Sequence, residues 1–336
     1  MRLIQFLDER STLRVGRVDE RGTRVLVIEG YSSTYELAMA AISAATTLDS
    51  MVRAASCSVK VSYAKLLARG RLQPPLTHPD PTHCHVSGSD FTHFGFAAVR
   101  TMSSHQLSDH DAASAASSAS MRIFRRGIEA GRPPIGQVGA QPEWFYKGNG
   151  RIVVGSGKPI VAPEFGLGFG EAPELVGLYI IGLNGRPVRL GFAIGNEFSD
   201  HVTARFNDLY RAHSKLRQCA VGPELRTGVL PARLPGCSRI RRNGCILVEK
   251  AFATGEENMC HSLANVEFHH FKYAAHRVPG DVHVHFFGSS MNGSSESIRL
   301  EPGDRFEIEL PDLGAPLVNT LAISRRGFAP GGVQTL

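Results

Sequence analysis

The stretch LVGLYIIGLNGRPVRLGFAIGNEFSD, residues 175–200, contains two apolar runs joined by a short segment with Asn and Gly. The runs LVGLYIIG (175–182) and PVRLGFAIGN (187–196) have the composition and spacing of β-strands. Similar short strand signals, separated by Gly, Pro or Asn, dominate the chain from about Trp144 onward. The sequence therefore predicts a β-rich α+β fold without the regular strand–helix alternation of a doubly wound sheet.

Acidic residues flank both apolar runs. Glu171 and Glu174 precede the first predicted strand, and Glu197 and Asp200 follow the second. Two neighbouring strands that end in acids can bring oxygen ligands together for a hard cation such as Mg²⁺. Acids at strand ends are more often solvated, so the spacing alone leaves a metal site and an exposed surface as alternatives.

The chain divides into two predicted units. Residues 1–75 contain a strand signal, TRVLVIEG (23–30), and an Ala-rich segment with helical spacing, TYELAMAAISAATTL (34–48). The proline-rich stretch LQPPLTHPDP (72–81) then indicates an extended connection. We expect a small N-terminal domain over residues 1–75 and a larger domain over residues 76–336.

An Ala- and Ser-rich segment, SDHDAASAASSASMR (108–122), has few large apolar side chains that could anchor it to a core. Segments with little buried apolar area open at a low cost in free energy. Such segments often cover an active site. We expect residues 105–125 to form a lid.

The composition is that of an ordinary globular protein, with 42% hydrophobic and 20% charged residues. The net charge is +6, but the basic residues are scattered, so we expect no nucleic-acid partner; a mild positive field suits a small anionic substrate. No apolar run approaches the roughly 18 residues of a membrane span. The six cysteines have no CxxC spacing, which is typical of reduced thiols, and we expect a cytoplasmic protein without membrane contact.

The segment PGDVHVHFFG (279–288) places His283 and His285 on one face of an alternating strand. Such a pair can bind a metal ion in a cupin. No histidine follows His285, and Glu296 lies too far along the chain to complete the cupin ligand set. Surface or hydrogen-bonded histidines on a half-buried strand are the favoured interpretation.

The order of segments over residues 80–320 closely resembles that of the fumarylacetoacetate hydrolase superfamily, and more narrowly its GguC-like branch associated with sugar-acid catabolism. The segments that carry the resemblance are EWFYKGNG, GKPIVAPE, EAPELVGLYIIG, GFAIGNEFSD, SKLRQCAVGPEL, IRRNG, PGDVHVHFFG and EPGDRFEIELPDLGAPLVNTL. The resemblance implies a mixed β-roll catalytic domain with a small N-terminal domain, a homodimer, and Mg²⁺ or Mn²⁺ bound by carboxylates.

The resemblance also implies metal ligands. The family's Glu-x-Glu motif falls on Ala172-Pro173-Glu174, and its later Asn-Asp pair falls on Asn196-Glu197. Glu174 and Glu197 are therefore the matched ligands, whereas Ala172 lacks the oxygen of an expected third one.

Two acids could replace the ligand that Ala172 lacks. On a regular strand residues 172 and 174 share a face and Glu171 does not, so Glu171 would reach the metal only if Pro173 forced a bulge. Asp200 is the other possible replacement.

Further site residues follow from the same resemblance. Lys147 and Lys215 match family lysines and could neutralise a substrate carboxylate or assist a leaving hydroxyl. Ser289 falls where the family usually has a Thr after a Gly. Together with Asn196 and Arg100, it forms the predicted substrate-binding set.

The histidine of the hydrolytic family members has no counterpart here. Within SGSDFTHFGFAAVR (87–100), His93 takes the position of a family Tyr and Phe96 takes that of the catalytic His. The sugar-acid dehydratases of the superfamily also lack that His, and their pattern is closer to Thr92-His93 followed by Arg100. His93 is therefore a candidate acid–base residue, with packing under the lid as the alternative.

The function implied is dehydration of a 2-oxo-3-deoxy sugar acid, such as a 2-keto-3-deoxy pentonate, through a metal-stabilised enolate. C–C bond hydrolysis of an acylpyruvate or diketo acid is an alternative, because the same enolate is its leaving group. The departure at Ala172 motivates a third possibility, a non-catalytic paralogue that binds a ligand without turning it over.

Overall fold

The computed structural model describes residues 1–95, 119–291, 298–325 and 331–336. Arg100 and most of the predicted lid lie outside the described residues. Of the lid, only residues 119–125 are described, and they begin a helix.

The described residues form a sheet-rich fold with few helices, as the sequence predicts. The strands are β1 (Arg2–Leu7), β2 (Leu13–Val18), β3 (Arg24–Val27), β4 (Lys60–Ser62), β5 (Leu72–Gln73), β6 (Cys84–Gly88), β7 (Phe145–Asn149), β8 (Val153–Val154), β9 (Pro159–Pro163), β10 (Phe169–Gly170), β11 (Pro173–Ile181), β12 (Pro187–Asn196), β13 (Ser199–Asp200), β14 (Cys219–Val221), β15 (Leu225–Arg226), β16 (Leu234–Arg242), β17 (Cys245–Thr254), β18 (Val282–Phe286), β19 (Arg305–Glu309) and β20 (Leu317–Ser324). The α-helices are α1 (Thr34–Ser43), α2 (Leu48–Ala54), α3 (Tyr63–Ala68), α4 (Ala119–Ala130), α5 (His201–Phe206), α6 (Arg211–Lys215) and α7 (Leu263–Phe271).

Most strands join one large mixed sheet. Its main order is β4-β3-β2-β1-β15-β12-β11-β18-β6-β7, with β5 beside β1 and β14 between β12 and β8. Strand β1 pairs antiparallel with β15, so the N-terminal strands continue the sheet that contains the central hairpin. The division at residue 75 stays a prediction, since the sheet runs through both predicted units.

The β11–β12 hairpin lies at the centre of this sheet. Every residue of β11 is buried, and its side chains alternate between two cores. Leu175 and Tyr179 face one core, whereas Val176 and Leu178 face the other. Burial of a large apolar side chain contributes about 1.5–3 kcal/mol. Because both faces are covered, the strand reads as a continuous apolar run rather than as an alternating one.

A second sheet covers one face of the hairpin. Its strand order is β17-β16-β19-β20-β9, and its inward residues Phe306, Ile308 and Leu321 belong to the same core as Leu175. The other core lies between the hairpin and helix α1, which contributes Leu37. The hairpin is therefore held from both sides, and its ends are fixed in position.

Helical spacing over residues 200–217, DHVTARFNDLYRAHSKLR, predicts one helix after β12, but in the structure this helix is interrupted. It consists of α5, a turn of 3-10 helix over Asp208–Tyr210, and α6. Asn207 adopts an extended conformation, with φ −162° and ψ 135°, which ends α5. The break turns the chain so that α6 can place Lys215 in the interior. No helix in the described part of the chain is long and apolar enough to cross a membrane.

Candidate active site

The candidate site lies where the central hairpin ends. Glu174 is the second residue of β11, and Glu197 directly follows β12. The Glu197 amide donates a hydrogen bond to the carbonyl of Ala172 at 2.9 Å, which extends the ladder by one pair. The Ala172 amide donates to Asn196 Oδ1 at 3.2 Å. The two acids and Asn196 are therefore held at one end of the hairpin by main-chain geometry.

Glu197 is the centre of a buried ion-pair cluster. Its carboxylate is inaccessible to solvent and accepts hydrogen bonds from Lys147 Nζ and Lys215 Nζ, each at 2.5 Å. Ser199 Oγ donates to the same carboxylate at 2.9 Å. Burial raises the pKa of Glu197, but the two ammonium groups lower it by more, so its pKa lies below the usual value. Glu197 is therefore an anion.

The two lysines reach Glu197 from different elements. Lys147 lies on β7 and also donates to the carbonyl oxygens of Phe198 and Lys215, at 2.8 and 3.1 Å. Lys215 ends α6 and lies 3.2 Å from Asp90 Oδ2. Burial lowers the pKa of Lys215, but Asp90 and Glu197 raise it further, and the pKa is above its usual value. Both lysines are thus positive charges fixed by carboxylates and carbonyls.

Glu174 is in a different electrostatic state from Glu197. It is only 2% exposed, and its Oε2 accepts one hydrogen bond, from the Gly288 amide at 2.8 Å. Burial, together with the charges of Glu197 and Asp90, raises its pKa well above the usual value. Lys215 offsets only part of this effect. A buried carboxyl beside other anions becomes an anion when a cation is supplied.

The loop after β18 brings backbone groups to Glu174. Gly288 has φ +89°, and a Cβ there would lie 2.3 Å from Thr92 Oγ1, so only glycine fits. The next residue, Ser289, donates through Oγ to the carbonyl of Pro173 at 3.0 Å. Ser289, which the sequence predicts to bind substrate, is thus beside the strand that carries Glu174.

Three charged residues of the site were missed by the sequence analysis. Arg211 lies 2.7 Å from Asp90 Oδ2 through Nη2 and 2.7 Å from Glu143 Oε1 through Nε. Burial raises the pKa of Glu143 to about 7, with Arg211 opposing the shift and Asp90 adding to it. The available signals were weak: Asp90 follows a strand, and Glu143 precedes Lys147 by four positions.

The Asp200 carboxylate is bound by backbone amides and an arginine, not by Lys147 or Lys215. Its carboxylate accepts hydrogen bonds from the amides of Leu167, Gly168 and Thr203 at 3.0 to 3.1 Å, and Arg217 pairs with it at 3.2 Å. Those amides include one in the first turn of α5, so Asp200 is the N-cap of that helix. This arrangement favours a structural role for Asp200.

Glu171 is fully buried just before β11. The pairing of Pro173 with Asn196 is regular, and the irregularity of this ladder lies between Leu178 and Tyr179. The bulge that would turn Glu171 toward the face of residue 174 is therefore not at Pro173. Its role as a metal ligand stays a prediction.

His93 is held between two hydroxyl groups. Its Nδ1 is 2.9 Å from Thr92 Oγ1, and its Nε2 is 2.9 Å from Thr254 Oγ1. Burial lowers the pKa of His93 to about 3, and Asp90 offsets only part of that effect. A neutral ring with both nitrogens engaged favours the packing alternative over acid–base catalysis, which stays a prediction.

The strand with the HxH pair forms part of a second group, the histidine cluster, which consists of the buried His270, His283 and His285 and the half-buried His85 and His276. His270 Nε2 lies 3.0 Å from His283 Nδ1, and the rings of His270 and His285 are 4.4 Å apart. Strand β6 places His85 beside His283 in parallel register. The cluster is therefore built by β6, β18 and α7 together.

Three imidazoles of this cluster, those of His270, His283 and His285, are kept neutral. Burial lowers the pKa of His283 to about 2 and that of His285 to about 3, and it lowers the pKa of His270 well below the usual value. His285 lies between Ser87 Oγ at 2.9 Å and Ser89 Oγ at 3.1 Å. The HxH pair is thus hydrogen-bonded, as the sequence favours, but β18 is buried along its whole length and not half-buried.

The acids at the end of the hairpin are the available donor set for a metal ion. Within the four described ranges, no three His, Cys, Asp or Glu side chains are arranged to hold a metal ion. Glu174 is nevertheless a buried carboxyl whose pKa the nearby Glu197 helps to raise, and a divalent cation would relieve that repulsion. Mg²⁺ keeps several waters and binds proteins through one or two carboxylates. Both oxygens of Glu197 already accept hydrogen bonds from Lys147 and Lys215, and the assignment of Glu174 and Glu197 as ligands of such a site stays a prediction.

Comparison with solved structures identifies proteins of the same fold. 2-Keto-3-deoxy-D-arabinonate dehydratase complexed with magnesium and 2,5-dioxopentanoate matches with a TM-score of 0.69 at 18% sequence identity, over 97% of this chain and 100% of that one. 5-Carboxymethyl-2-hydroxymuconate delta-isomerase from Mycobacterium smegmatis matches with a TM-score of 0.58 at 15% identity, over 96% and 100%. 2-Hydroxyhepta-2,4-diene-1,7-dioate isomerase from Mycobacterium marinum matches with a TM-score of 0.56 at 16% identity, over 97% and 100%.

These likenesses extend over almost the whole of each chain, and they confirm the α+β fold that the sequence predicts. No protein-family model matches the chain, and no curated protein matches its sequence.

Proposed function

We propose that this chain is a Mg²⁺-dependent dehydratase that removes water from a 2-oxo-3-deoxy sugar acid. The observation that carries the proposal is the buried cluster in which Glu197 is paired with Lys147 and Lys215, at the hairpin end that also carries the buried Glu174. A fold shared with a sugar-acid dehydratase supports it. We also propose, from the resemblance in the sequence, a cytoplasmic homodimer.

Two carboxylates would hold the cation. Glu174 and Glu197 supply the oxygens, and Asn196 stabilises the strand ends through its hydrogen bond from Ala172. A bound Mg²⁺ supplies Lewis acidity that favours the enolate of a 2-oxo acid. Lys147 is saturated by Glu197 and two carbonyl oxygens, so it positions Glu197 rather than the substrate.

The substrate carboxylate needs a positive partner with spare donors. Arg211 and Lys215 are the cations that face Asp90 at the edge of the cluster, and the Asp90 side chain is 19% exposed. Arginine binds carboxylates through two parallel donors, which fixes orientation as well as charge. We assign Arg211 and Lys215 to the carboxylate end of the substrate.

Glu143 is the proposed general base. Its Oε2 is buried and has no hydrogen-bond partner among the residues that the structure describes, and its pKa is raised by burial to about 7. A base with a pKa near the working pH is the most effective in proton transfer. Glu143 would take a proton from C3, and the electrons of that C–H bond would form a C3=C4 double bond as the C4 hydroxyl leaves. The protonated Glu143 would then give the proton to the leaving hydroxyl, so that the products are water and a 2-oxo-3-enoic acid.

A turnover screen tests the proposal. The purified chain, with Mg²⁺, is offered 2-oxo-3-deoxy pentonates, 2-oxo-3-deoxy hexonates and acylpyruvates, and products are identified by mass spectrometry. We expect loss of water from a sugar acid, and at least a 100-fold lower kcat for Glu143→Gln with metal binding retained. The matched control is Glu257→Gln, a change at an exposed glutamate.

Each other outcome contradicts part of the proposal. Cleavage of an acylpyruvate without dehydration of any sugar acid would make the chain a C–C bond hydrolase. Binding of Mg²⁺ and a 2-oxo acid without turnover would make it the non-catalytic paralogue that Ala172 suggests. Full activity of Glu143→Gln would remove Glu143 as the base.

A further inference from the structure

A cavity of about 990 Å³ lies between the N-terminal strands and the loop before β20, away from the carboxylate and lysine cluster. None of its lining residues belongs to the candidate active site. Lys60 lines it together with six arginines, which are Arg2, Arg17, Arg21, Arg24, Arg53 and Arg226. The cavity is therefore surrounded by positive charge.

The fold, and not a basic run in the sequence, assembles this charge. Arg2 on β1 lies directly opposite Arg226 on β15, although the two are more than 200 positions apart in the chain. Arg17 on β2 and Arg53 at the end of α2 approach the same cavity from other elements. Like charges placed opposite each other on paired strands are destabilising. Such an arrangement is compensated when an anion binds between the charges.

The acids around the cavity do not cancel the basic groups. Asp19, Glu20 and Asp312 line it, fewer than the basic residues. The Asp19 carboxylate already accepts hydrogen bonds from the amide and hydroxyl of Thr23, at 2.7 and 3.0 Å. Arg226 donates to the backbone carbonyl of Asp312 at 3.1 Å, not to its carboxylate. An excess of positive charge is left over.

The arginines retain spare hydrogen-bonding capacity. Arg2 is held by the Asp19 carbonyl at 2.8 Å and lies 3.5 Å from Glu224. In the part of the chain that the structure describes, no salt bridge engages Arg17, Arg24 or Arg53. Guanidinium groups match phosphate oxygens with paired donors. Several such groups around one cavity favour a ligand with more than one phosphate.

We propose that this cavity binds a small polyphosphate, either inorganic or the polyphosphate part of a nucleotide. The volume is at the upper end of that of small-molecule sites, which run from about 300 to 1,000 Å³. No aromatic side chain lines it, so the stacking platform typical of single-stranded nucleic acid is absent from its lining. The ligand is recognised through its phosphates.

Calorimetry on the full chain tests this site. Tripolyphosphate, pyrophosphate and phosphate are titrated separately in the presence of EDTA, so that no divalent metal links the anion to the candidate active site. We expect one site per chain, with affinity rising with the number of phosphates and falling steeply with salt. Arg24→Gln and Arg53→Gln, both changes at exposed side chains, are each expected to weaken tripolyphosphate binding at least fivefold.

The matched control is Arg10→Gln, at an exposed arginine that does not line the cavity, and it should leave the affinity unchanged. Thermal melting of each variant verifies that it is folded. Titrations with adenosine triphosphate and with adenosine show whether the nucleoside contributes to binding. If the phosphates are recognised, adenosine triphosphate binds and adenosine does not. Three outcomes would overturn the proposal. They are several weak sites in place of one, a loss of tripolyphosphate affinity in Arg10→Gln equal to that in the cavity variants, and tighter binding of single-stranded DNA than of tripolyphosphate. None of these outcomes depends on turnover of a sugar acid.

Discussion

The candidate active site and the histidine cluster bury ionisable groups in the same large sheet, yet they do so in opposite ways. Around Glu197 the charges remain, because Lys147 and Lys215 supply opposite charges at hydrogen-bond distance. In the histidine cluster, His283 and His285 have lost their charge, and their rings are held by neutral partners. Burial alone therefore does not determine whether an ionisable group keeps its charge. The groups that contact it determine that.

The same comparison separates two kinds of perturbed pKa. Burial raises the pKa of Glu143 to about 7, where the group exchanges protons near neutral pH. Burial lowers the pKa of His93 to about 3, which keeps the ring neutral and unreactive as an acid. A useful acid or base has its pKa near the working pH. On this criterion Glu143 is the better candidate, although histidine is the more familiar catalytic residue type.

The largest effect on stability is expected from removing one of the ion pairs of Glu197. Lys147→Met leaves the Glu197 carboxylate with fewer partners in a site closed to solvent, and the free energy of unfolding should fall by about 3–5 kcal/mol. Urea unfolding measures it. Arg239→Met, which removes ion pairs with the exposed side chains of Glu249 and Glu309, should cost at most about 1 kcal/mol. An equal loss in both variants would mean that the Glu197 cluster is not held by its charges.

The histidine cluster makes the free energy of unfolding depend on pH. The pKa values of His270, His283 and His285 are lower in the folded chain than the usual 6.5. Below about pH 6.5 the unfolded chain therefore binds protons that the folded chain does not bind. Stability is complete above about pH 7 and falls as the pH drops through 6.5. Each group contributes a loss of about 1.4 kcal/mol between pH 7.5 and pH 5.5.

Replacing one ring isolates that contribution. In His285→Asn, the difference in unfolding free energy between pH 7.5 and pH 5.5 should be smaller than in the unaltered chain by about 1.4 kcal/mol. The exposed His213→Asn is the control and should keep the original difference. If His285→Asn keeps it too, the ring is not neutral in the folded chain and the comparison between the two regions fails.

The smallest effect, a change in Mg²⁺ affinity, is expected from adding a carboxylate at residue 172. Ala172→Glu restores the carboxylate that the resemblance leads us to expect, and it should tighten Mg²⁺ binding about fivefold, since affinity follows ligand charge and number. Calorimetry with Mg²⁺ measures the change, and Ala172→Gln separates charge from bulk. Unaltered affinity in Ala172→Glu would mean that residue 172 does not face the cation and that the ligand motif is placed wrongly.

The sequence predicted the fold where local patterns carry it. The runs that became β11 and β12 are apolar and short, and acids stand at their ends. The family resemblance then singled out Glu174 and Glu197 among those acids. The long helix expected after β12 is the counterexample. The extended conformation at Asn207 divides it, because tertiary packing of α6 outweighs helical spacing.

The rest of the site depends on contacts that no local pattern contains. Arg211 and Asp90 are 121 positions apart, and the sheet order brings them together. Glu143 needs a buried position before it becomes a base, and burial of a loop residue is decided by the whole fold. The histidine cluster is similar: the HxH spacing was visible, but its partner His270 comes from α7.

The central hairpin also determines which parts of this chain can be lengthened. Its turn is closed by a hydrogen bond from the Gly182 amide to the Arg186 carbonyl, at the end of β12 opposite to Glu197. Ten residues of strand, about 30 Å, separate the two ends. Insertions at the turn should therefore be neutral for chemistry and suitable for attaching a tag or a second domain. A single residue inserted within β11 would reverse the faces of every side chain beyond it, and the carboxylate site would be lost together with the core.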